Sequence, residues 1–334
     1  MKRRRILALC HREILPPEGA TDELAIGQVW KMEHHVLSAV RELGHELEVL
    51  GIDDDLRPIR DGVERFQPDV VLNLLEAFAG EVLWDQNVVS YLELLGASYT
   101  GCDPRGLVLS RDKALSKKLA AWHRVRVPDF FIVRRGRKVR RPARMGFPLI
   151  VKSPIDDASL GIAKASIVHD DDALAARIDF MRERWDIEVM AEEFIPGREL
   201  YVGVLGNDRL TVLPTWELVF EKKAEDQPLI ATRKAKWDVA YQEKLGIQSG
   251  EARDLPEEIA RRLPRICRRL YRALGLSGYA RLDFRLSKEG VLYFLEANPN
   301  PDISRDEDLA VSAARAGLPY PRLIQRILDL GRTR

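Results

Sequence analysis

Cysteine is scarce in this chain: three among 334 residues (Cys10, Cys102 and Cys267), an odd number at unrelated spacings with no Cys-x-x-Cys pair. Neither a disulfide framework nor a zinc site of thiolate and imidazole ligands is suggested. Net charge is equally scarce, 53 basic against 52 acidic residues. No bulk field therefore favours nucleic acid or an anionic membrane, neither is expected as a partner, and any anion site must be local. A run of about 18 apolar residues, the minimum to span a bilayer, is missing as well. The opening Met1-Lys-Arg-Arg-Arg-Ile-Leu-Ala-Leu-Cys10 has the basic prefix of a signal peptide, but its apolar run stops at His11-Arg12-Glu13. It reads as a first strand, and the cytoplasm is the expected compartment. There is no Gly-x-x-x-x-Gly-Lys-Ser/Thr and no Gly-x-Gly-x-x-Gly after the first strand, so neither a P-loop nor a dinucleotide fingerprint is supported.

What is present is a globular composition, 46% hydrophobic and 31% charged, on a chain about twice the ~150 residues of an average domain. Two or three packed units are expected. The first hundred residues alternate as an open α/β unit does, with strands at 5–10, 46–52 and 69–75 and helices at 23–43 and 88–95. A second unit starts near Ser110-Arg-Asp-Lys113 with a short helix, then strands at 130–133 and 147–152 and a helix at 170–184. The basic connector between those strands, residues 134–144, reads as a solvated hairpin loop. The third unit carries strands at 188–194, 199–205, 210–218, 279–286 and 291–296, expected to form one antiparallel sheet. A capping box, Asp254-Leu-Pro-Glu257, opens a helix that Pro264 should kink and whose six arginines form its wet face. The fold class is α/β, passing to α+β in the C-terminal part.

The strongest chemical signal is Arg281-Leu-Asp-Phe-Arg-Leu286, a turn, then Tyr293-Phe-Leu-Glu-Ala-Asn298. Alternate residues of a strand share a face, so Arg281 groups with Asp283, and Glu296 with Asn298. If the two segments pair, one surface gathers hard oxygen donors suited to Mg²⁺, with a guanidinium to offset charge developing on a phosphoryl group. Lys152 ends the apolar run Pro148-Leu-Ile-Val151 and should lie beside a buried anion. Asp156-Asp-Ala-Ser159-Leu-Gly161 could fold over phosphate through backbone N–H groups and the Ser159 hydroxyl. Lys113 follows Asp112 at a helix start, and Lys236 lies in a loop. Glu192-Glu193-Phe194-Ile195-Pro-Gly197-Arg-Glu199 is a strand, a turn and a second strand. Its backbone could read an adenine edge, with Phe194, Ile195 and Leu295 around the ring and Glu199 toward ribose.

This ordered set resembles the ATP-grasp fold, most closely the D-alanine–D-alanine ligases. The resemblance spans roughly residues 68–330 and includes Tyr91-Leu-Glu-Leu-Leu-Gly96-Ala-Ser-Tyr-Thr-Gly101. It implies an N-terminal Rossmann-like pre-ATP-grasp domain (1–106), a central subdomain with a phosphate loop (107–190) and a C-terminal subdomain with the nucleotide and metal site and a lid loop (191–334). The implied activity consumes ATP to activate a carboxylate as an acylphosphate, from which an amine displaces phosphate to form an amide. The resemblance further implies phosphate contacts from Lys113, Lys152 and Lys236, and an adenine-reading hinge at Glu192, Glu193, Phe194 and Ile195. Ribose falls to Glu199, and Ile230 and Leu295 lie against the nucleotide. Two Mg²⁺ ions, replaceable by Mn²⁺, fall to Asp283, Glu296 and Asn298, and catalytic roles to Arg281, Lys236 and Ser159. The partners it implies are a small carboxylate and an amine, amino acids or short peptides, and a homodimer.

The departures from the family concern substrate. After the metal Asn the family has Thr-x-Pro-Gly and later a Ser-Leu pair; here Asp302 replaces the glycine and Asp308 falls where the serine would be. The His-Gly after the third strand becomes Leu75-Glu76-Ala77. An aspartate facing a substrate carboxylate costs affinity, so a cationic amine suits this chain better than D-Ala. Three alternatives stay open. Asp302 and Asp308 could pair with Arg305 or Arg315, the chain could be a genuine D-alanine–D-alanine ligase, or it could be a nucleotide-binding module without turnover.

Overall fold

A computed structural model describes residues 2–155, 164–220 and 246–332. Its first layer is a parallel sheet of β1 (Arg5–His11), β2 (Glu46–Ile52) and β3 (Val70–Asn73) in the order β2-β1-β3. The helices that cover it are α1 (Asp22–Ala25), α2 (Lys31–Glu42), α3 (Arg57–Phe66) and α4 (Asp85–Leu94). Strand period two divides the apolar residues of β1 between two cores. Leu7 and Leu9 pack with Ile59 and Phe66 of α3 and Val88 and Leu92 of α4. Ile6, Ala8 and Cys10 pack with Val36, Leu37 and Val40 of α2. The second core also receives Leu323, Ile324, Ile327 and Leu328 from the last described helix, which packs against the parallel sheet and α2.

Two helices follow, α5 (Pro104–Arg111) and α6 (Lys113–Trp122), separated only by Asp112, whose side chain caps α6 by accepting from Leu115 N–H at 2.9 Å. The next sheet comprises β4 (Phe130–Val133), β5 (Leu149–Lys152), β6 (Ile167–Val168) and β7 (Val189–Glu193), ordered β4-β7-β5-β6 and backed by α7 (Asp171–Trp185). A larger antiparallel sheet comprises β8 (Gly197–Leu205), β9 (Thr211–Val212), β10 (Trp216–Phe220), β11 (Ile247–Glu251), β12 (Tyr279–Ser287) and β13 (Leu292–Pro299). It is covered by α8 (Glu257–Ala273), while α9 (Asp308–Arg315) and α10 (Tyr320–Arg332) complete the chain. None of these helices is long and apolar enough to cross a membrane.

Several sequence expectations are corrected. The helix expected over 23–43 is two, broken where Gly27 takes φ +73°, and Ile26 and Val29, assigned to its apolar side, are exposed. The strand at 188–194 does not join the C-terminal sheet but pairs with β4 and β5, and β11 was not foreseen. The expected strand at 210–218 is divided between β9 and β10. Residues 134–144 link β4 to β5, which lie on opposite sides of β7, so the segment is a crossing and not a hairpin. The capping box at Asp254 does not form, because Asp254 adopts φ 52° and Pro256 takes the N-cap position without a side-chain cap bond. Pro264 sits inside α8 without ending it, and five of the six arginines, all but Arg268, are exposed.

Candidate active site

The crevice between the four- and six-stranded sheets is held by a buried charge cluster. Glu192 on β7, 2% exposed, is met by Lys152 of β5 at 3.2 Å and Lys117 of α6 at 2.9 Å, one lysine on each carboxylate oxygen. Lys117 is fully buried and its ammonium also donates to the Phe294 carbonyl on β13 at 3.5 Å. One side chain thus ties both sheets together. Burial pulls its ammonium down to about 8 against the opposing pull of Glu192. Lys113, one helical turn earlier and 4% exposed, places its ammonium 3.5 Å from Glu296 Oε2. Two lysines of α6 and one of β5 therefore converge on one cleft.

The opposite wall is the β12–β13 pair. Its register sets Arg281 across from Asn298 and Asp283 across from Glu296, as alternation along two paired strands requires. Beyond Asp283 the register shifts by one residue, leaving Leu295 as the extra residue of a bulge beside the carboxylates. Asp283, 2% exposed, accepts from Arg281 through both oxygens (Nε 2.8 Å, Nη2 3.0 Å) and from Asn298 Nδ2 at 3.0 Å. The guanidinium of Arg281 also stacks 4.9 Å from the Tyr201 ring centroid. Two carboxylates and an amide on one face, beside a guanidinium, are donors that fit a hard divalent cation with room for further oxygen ligands.

The hinge residues run along and beyond the end of β7. Glu193 is exposed, its N–H donating to Asp129 at 2.8 Å; Phe194 is half-buried, its N–H donating to Pro148 at 3.1 Å; Ile195 is buried and Leu295 half-buried. The Glu199 carboxylate accepts from Arg285 Nη2 at 2.6 Å and the Tyr201 hydroxyl at 2.8 Å. Ser159, Ile230 and Lys236, with the 156–161 turn, lie outside the described residues.

On the substrate side, Asp302 accepts from the N–H and hydroxyl of Ser304 at 2.7 and 2.6 Å, and Asp308 from the Ser249 hydroxyl. The alternative in which Asp302 and Asp308 pair with Arg305 or Arg315 finds no such ion pair among the described residues, where Arg305 pairs with Glu42 and Arg315 with Glu251. Glu76 lies exposed after β3.

Sequence reasoning missed three members of this site and, apart from it, one buried carboxylate. Lys117 shares the Lys113 face at the i+4 position, a readable signal. Arg285 continues the Arg281, Asp283 alternation, and Tyr201 faces Asp283 across β8 and β12. Glu33 stands in the apolar stripe of α2 with Val36, Leu37 and Val40, where a carboxylate is out of place.

This two-sheet cleft defines the class, an ATP-grasp ligase. Residues 119–329 match the family described as D-ala D-ala ligase C-terminus. The chain is 33% identical over 311 residues to an uncharacterised protein of Sinorhizobium fredii, covering 90% of this chain and 87% of that one. It is 32% identical over 273 residues to D-alanine–D-alanine ligase of Desulfotalea psychrophila, covering 79% and 78%. The fold matches the crystal structure of the Bacillus anthracis D-alanine–D-alanine ligase complexed with ATP, with a TM-score of 0.74, 22% identity, and coverage of 99% and 97%. The chain belongs to the D-alanine–D-alanine ligase family.

Proposed function

We propose that this protein is an ATP- and Mg²⁺-dependent carboxylate–amine ligase whose substrate specificity differs from that of D-alanine–D-alanine ligases. ATP transfers its γ-phosphoryl group to a substrate carboxylate, giving ADP and an acylphosphate. The amine nitrogen then attacks the acyl carbon, phosphate leaves with the bonding electron pair, and the amine loses a proton as the amide forms. The observation that carries this reading is the convergence of Lys113, Lys117 and Lys152 on a cleft whose other wall bears Asp283, Glu296, Asn298 and Arg281.

Nucleotide phosphates enter beside the three lysines, with Glu192 fixing Lys117 and Lys152 so that their charge is in place before ATP arrives. The backbone from Glu193 to Ile195 reads the base, with Phe194, Ile195 and Leu295 around it, and Glu199, anchored by Arg285, takes the ribose. Asp283, Glu296 and Asn298 hold Mg²⁺, which supplies charge neutralisation for the transferring phosphoryl group. Arg281, oriented by its two bonds to Asp283, faces the oxygen on which charge develops. Ser159, Lys236 and Ile230 belong to the same reading on the family pattern.

Asp302 and Asp308 favour a cationic amine over the carboxylate of D-Ala, a choice supported by Arg305 and Arg315 pairing with Glu42 and Glu251 instead of with them. A cytoplasmic location follows from the need for ATP and free amino acids. The reading is tested by equilibrium binding of ATP in the presence of Mg²⁺ to the protein and to Glu296→Gln. Nucleotide binding that persists while metal-dependent tightening is lost supports it; no ATP binding to the unaltered protein refutes it.

A further inference from the structure

Tyr201 stands between the two ends of the proposed nucleotide site. It lies in β8 directly across from Asp283 of β12, with Glu199 across from Arg285, so alternation sets Glu199, Tyr201, Arg281, Asp283 and Arg285 on one face of the sheet. Its ring is buried, and in the register Trp216 of β10, also buried, flanks it on the other side. The ring centroid lies 4.9 Å from the Arg281 guanidinium carbon, and the hydroxyl donates to Glu199 Oε1 at 2.8 Å. One rigid side chain therefore touches both the arginine of the phosphoryl end and the carboxylate of the sugar end.

Arg281 needs such a contact. Its bonds to Asp283 Oδ1 and Oδ2, at 2.8 and 3.0 Å, fix the guanidinium against the edge of the carboxylate but leave it free to tilt about that edge. Asp283 is also shared: Asn298 Nδ2 donates to the same Oδ2 at 3.0 Å, and in the ligase reading the carboxylate holds a cation as well. An aromatic face draws on none of those oxygens, and it opposes the tilt because the ring quadrupole holds a guanidinium over it. Glu199 is held one oxygen at a time. Arg285 Nη2 donates to Oε2 at 2.6 Å, its Nη1 donates to the Gly197 carbonyl at 3.2 Å, and the Tyr201 hydroxyl takes Oε1. Bonds on both oxygens stop the carboxylate from rotating, and each oxygen keeps a lone pair for a further donor. Without the hydroxyl, Oε1 can turn away from the sugar.

We propose that Tyr201 is a positioning residue with two separable functions: its ring face sets the Arg281 guanidinium toward the transferring phosphoryl group, and its hydroxyl holds the Glu199 carboxylate for the ribose. This rests on the ligase reading for the roles of Arg281 and Glu199, and it deepens that reading by naming what keeps the two groups in place. The separation follows from the chemistry of the side chain. Phenylalanine keeps the face and loses the hydroxyl, whereas leucine loses both.

The test is equilibrium binding of nucleotides, all with Mg²⁺, to the full chain and to its Tyr201→Phe and Tyr201→Leu variants. Comparing ATP with 2′,3′-dideoxy-ATP reads the sugar contact. The tightening of ADP binding by aluminium fluoride, which takes the shape and charge of a phosphoryl group in transfer, reads Arg281. The unaltered chain is expected to favour ATP by about tenfold or more, the scale of a hydrogen bond to a charged group. Tyr201→Phe should lose most of that preference while the aluminium fluoride tightening holds. Tyr201→Leu should lose the preference and about tenfold of the tightening as well. A merely structural ring would instead move both readouts together with the unfolding midpoint. Equal effects of Tyr201→Phe on the two readouts, an unchanged sugar preference in Tyr201→Phe, or full tightening in a folded Tyr201→Leu each overturns the proposal. Should Tyr201→Leu fail to fold, Tyr201→Phe decides alone, since it keeps the buried ring and its two readouts must separate. An unaltered chain that binds ATP without sugar preference, or without tightening by aluminium fluoride, sinks the proposal and leaves the ligase reading. An unaltered chain that binds no nucleotide sinks the ligase reading and the proposal with it.

Discussion

Asp283 and Glu296 face each other directly across β12 and β13, and the register slips immediately beyond them at Leu295. The pair is what brings two carboxylates from distant sequence positions onto the surface that also carries Arg281 and Asn298. Glu296→Gln removes one charge from a half-buried position without altering shape. We expect phosphate release to fall at least 100-fold, as loss of a catalytic charge does, with the unfolding midpoint nearly unchanged. Steady-state phosphate release and urea unfolding on the same preparation check both parts.

Arg281 is oriented by Asp283 and Tyr201, which makes its truncation a different experiment. Arg281→Ala should cost roughly 3 kcal/mol of transition-state stabilisation, on the scale of oxyanion-donor removals. The loss is expected in kcat while KM for ATP holds, because the interaction strengthens as charge develops.

Lys117 and Glu192 are a buried pair at 2.9 Å. Lys117→Met leaves Glu192 with Lys152 alone and should destabilise the chain by about 3 kcal/mol, as breaking a buried pair does. Adding Glu192→Gln should restore much of that stability and none of the ATP affinity. A double-mutant cycle in urea, followed by nucleotide titration of each variant, separates the two contributions.

Glu33 gives a pH signature. Its carboxyl stands at about 8 in the fold against an ordinary 4.5, so between those values the folded chain holds a proton that the unfolded chain has released. Stability contributed by that group is therefore full at low pH and falls as pH rises through the window. Glu33→Gln should flatten this fall, read as unfolding free energy near pH 5 and near pH 8.

Much of this site was legible because strand alternation is a strict rule: Arg281, Asp283, Glu296 and Asn298 follow from period two and one hairpin. Lys152 was legible because a lysine at the end of an apolar strand needs an anion. What was not legible depends on tertiary pairing. Nothing local tells that residues 189–193 lie between β4 and β5 instead of joining the next sheet, or that the Glu192 side chain is the anion beside Lys152. Helix 23–43 failed because its apolar period runs through Gly27, whose left-handed backbone ends α1 whatever the pattern. Glu33 carried a signal, a carboxylate in an apolar stripe, but its burial to 1% exposure depends on how α2 packs against β1.

The measurement that bears most directly on the account is release of ADP and phosphate from Mg·ATP across a panel of carboxylate and amine pairs, with mass spectrometry of each product. The panel includes D-Ala alone and basic amino acids of both hands. The account predicts ADP formation that depends on both substrates and a new amide containing a basic residue. An amide from D-Ala alone would restore the specificity of the named relatives, and a protein that binds ATP yet forms no ADP with any pair would contradict the ligase assignment.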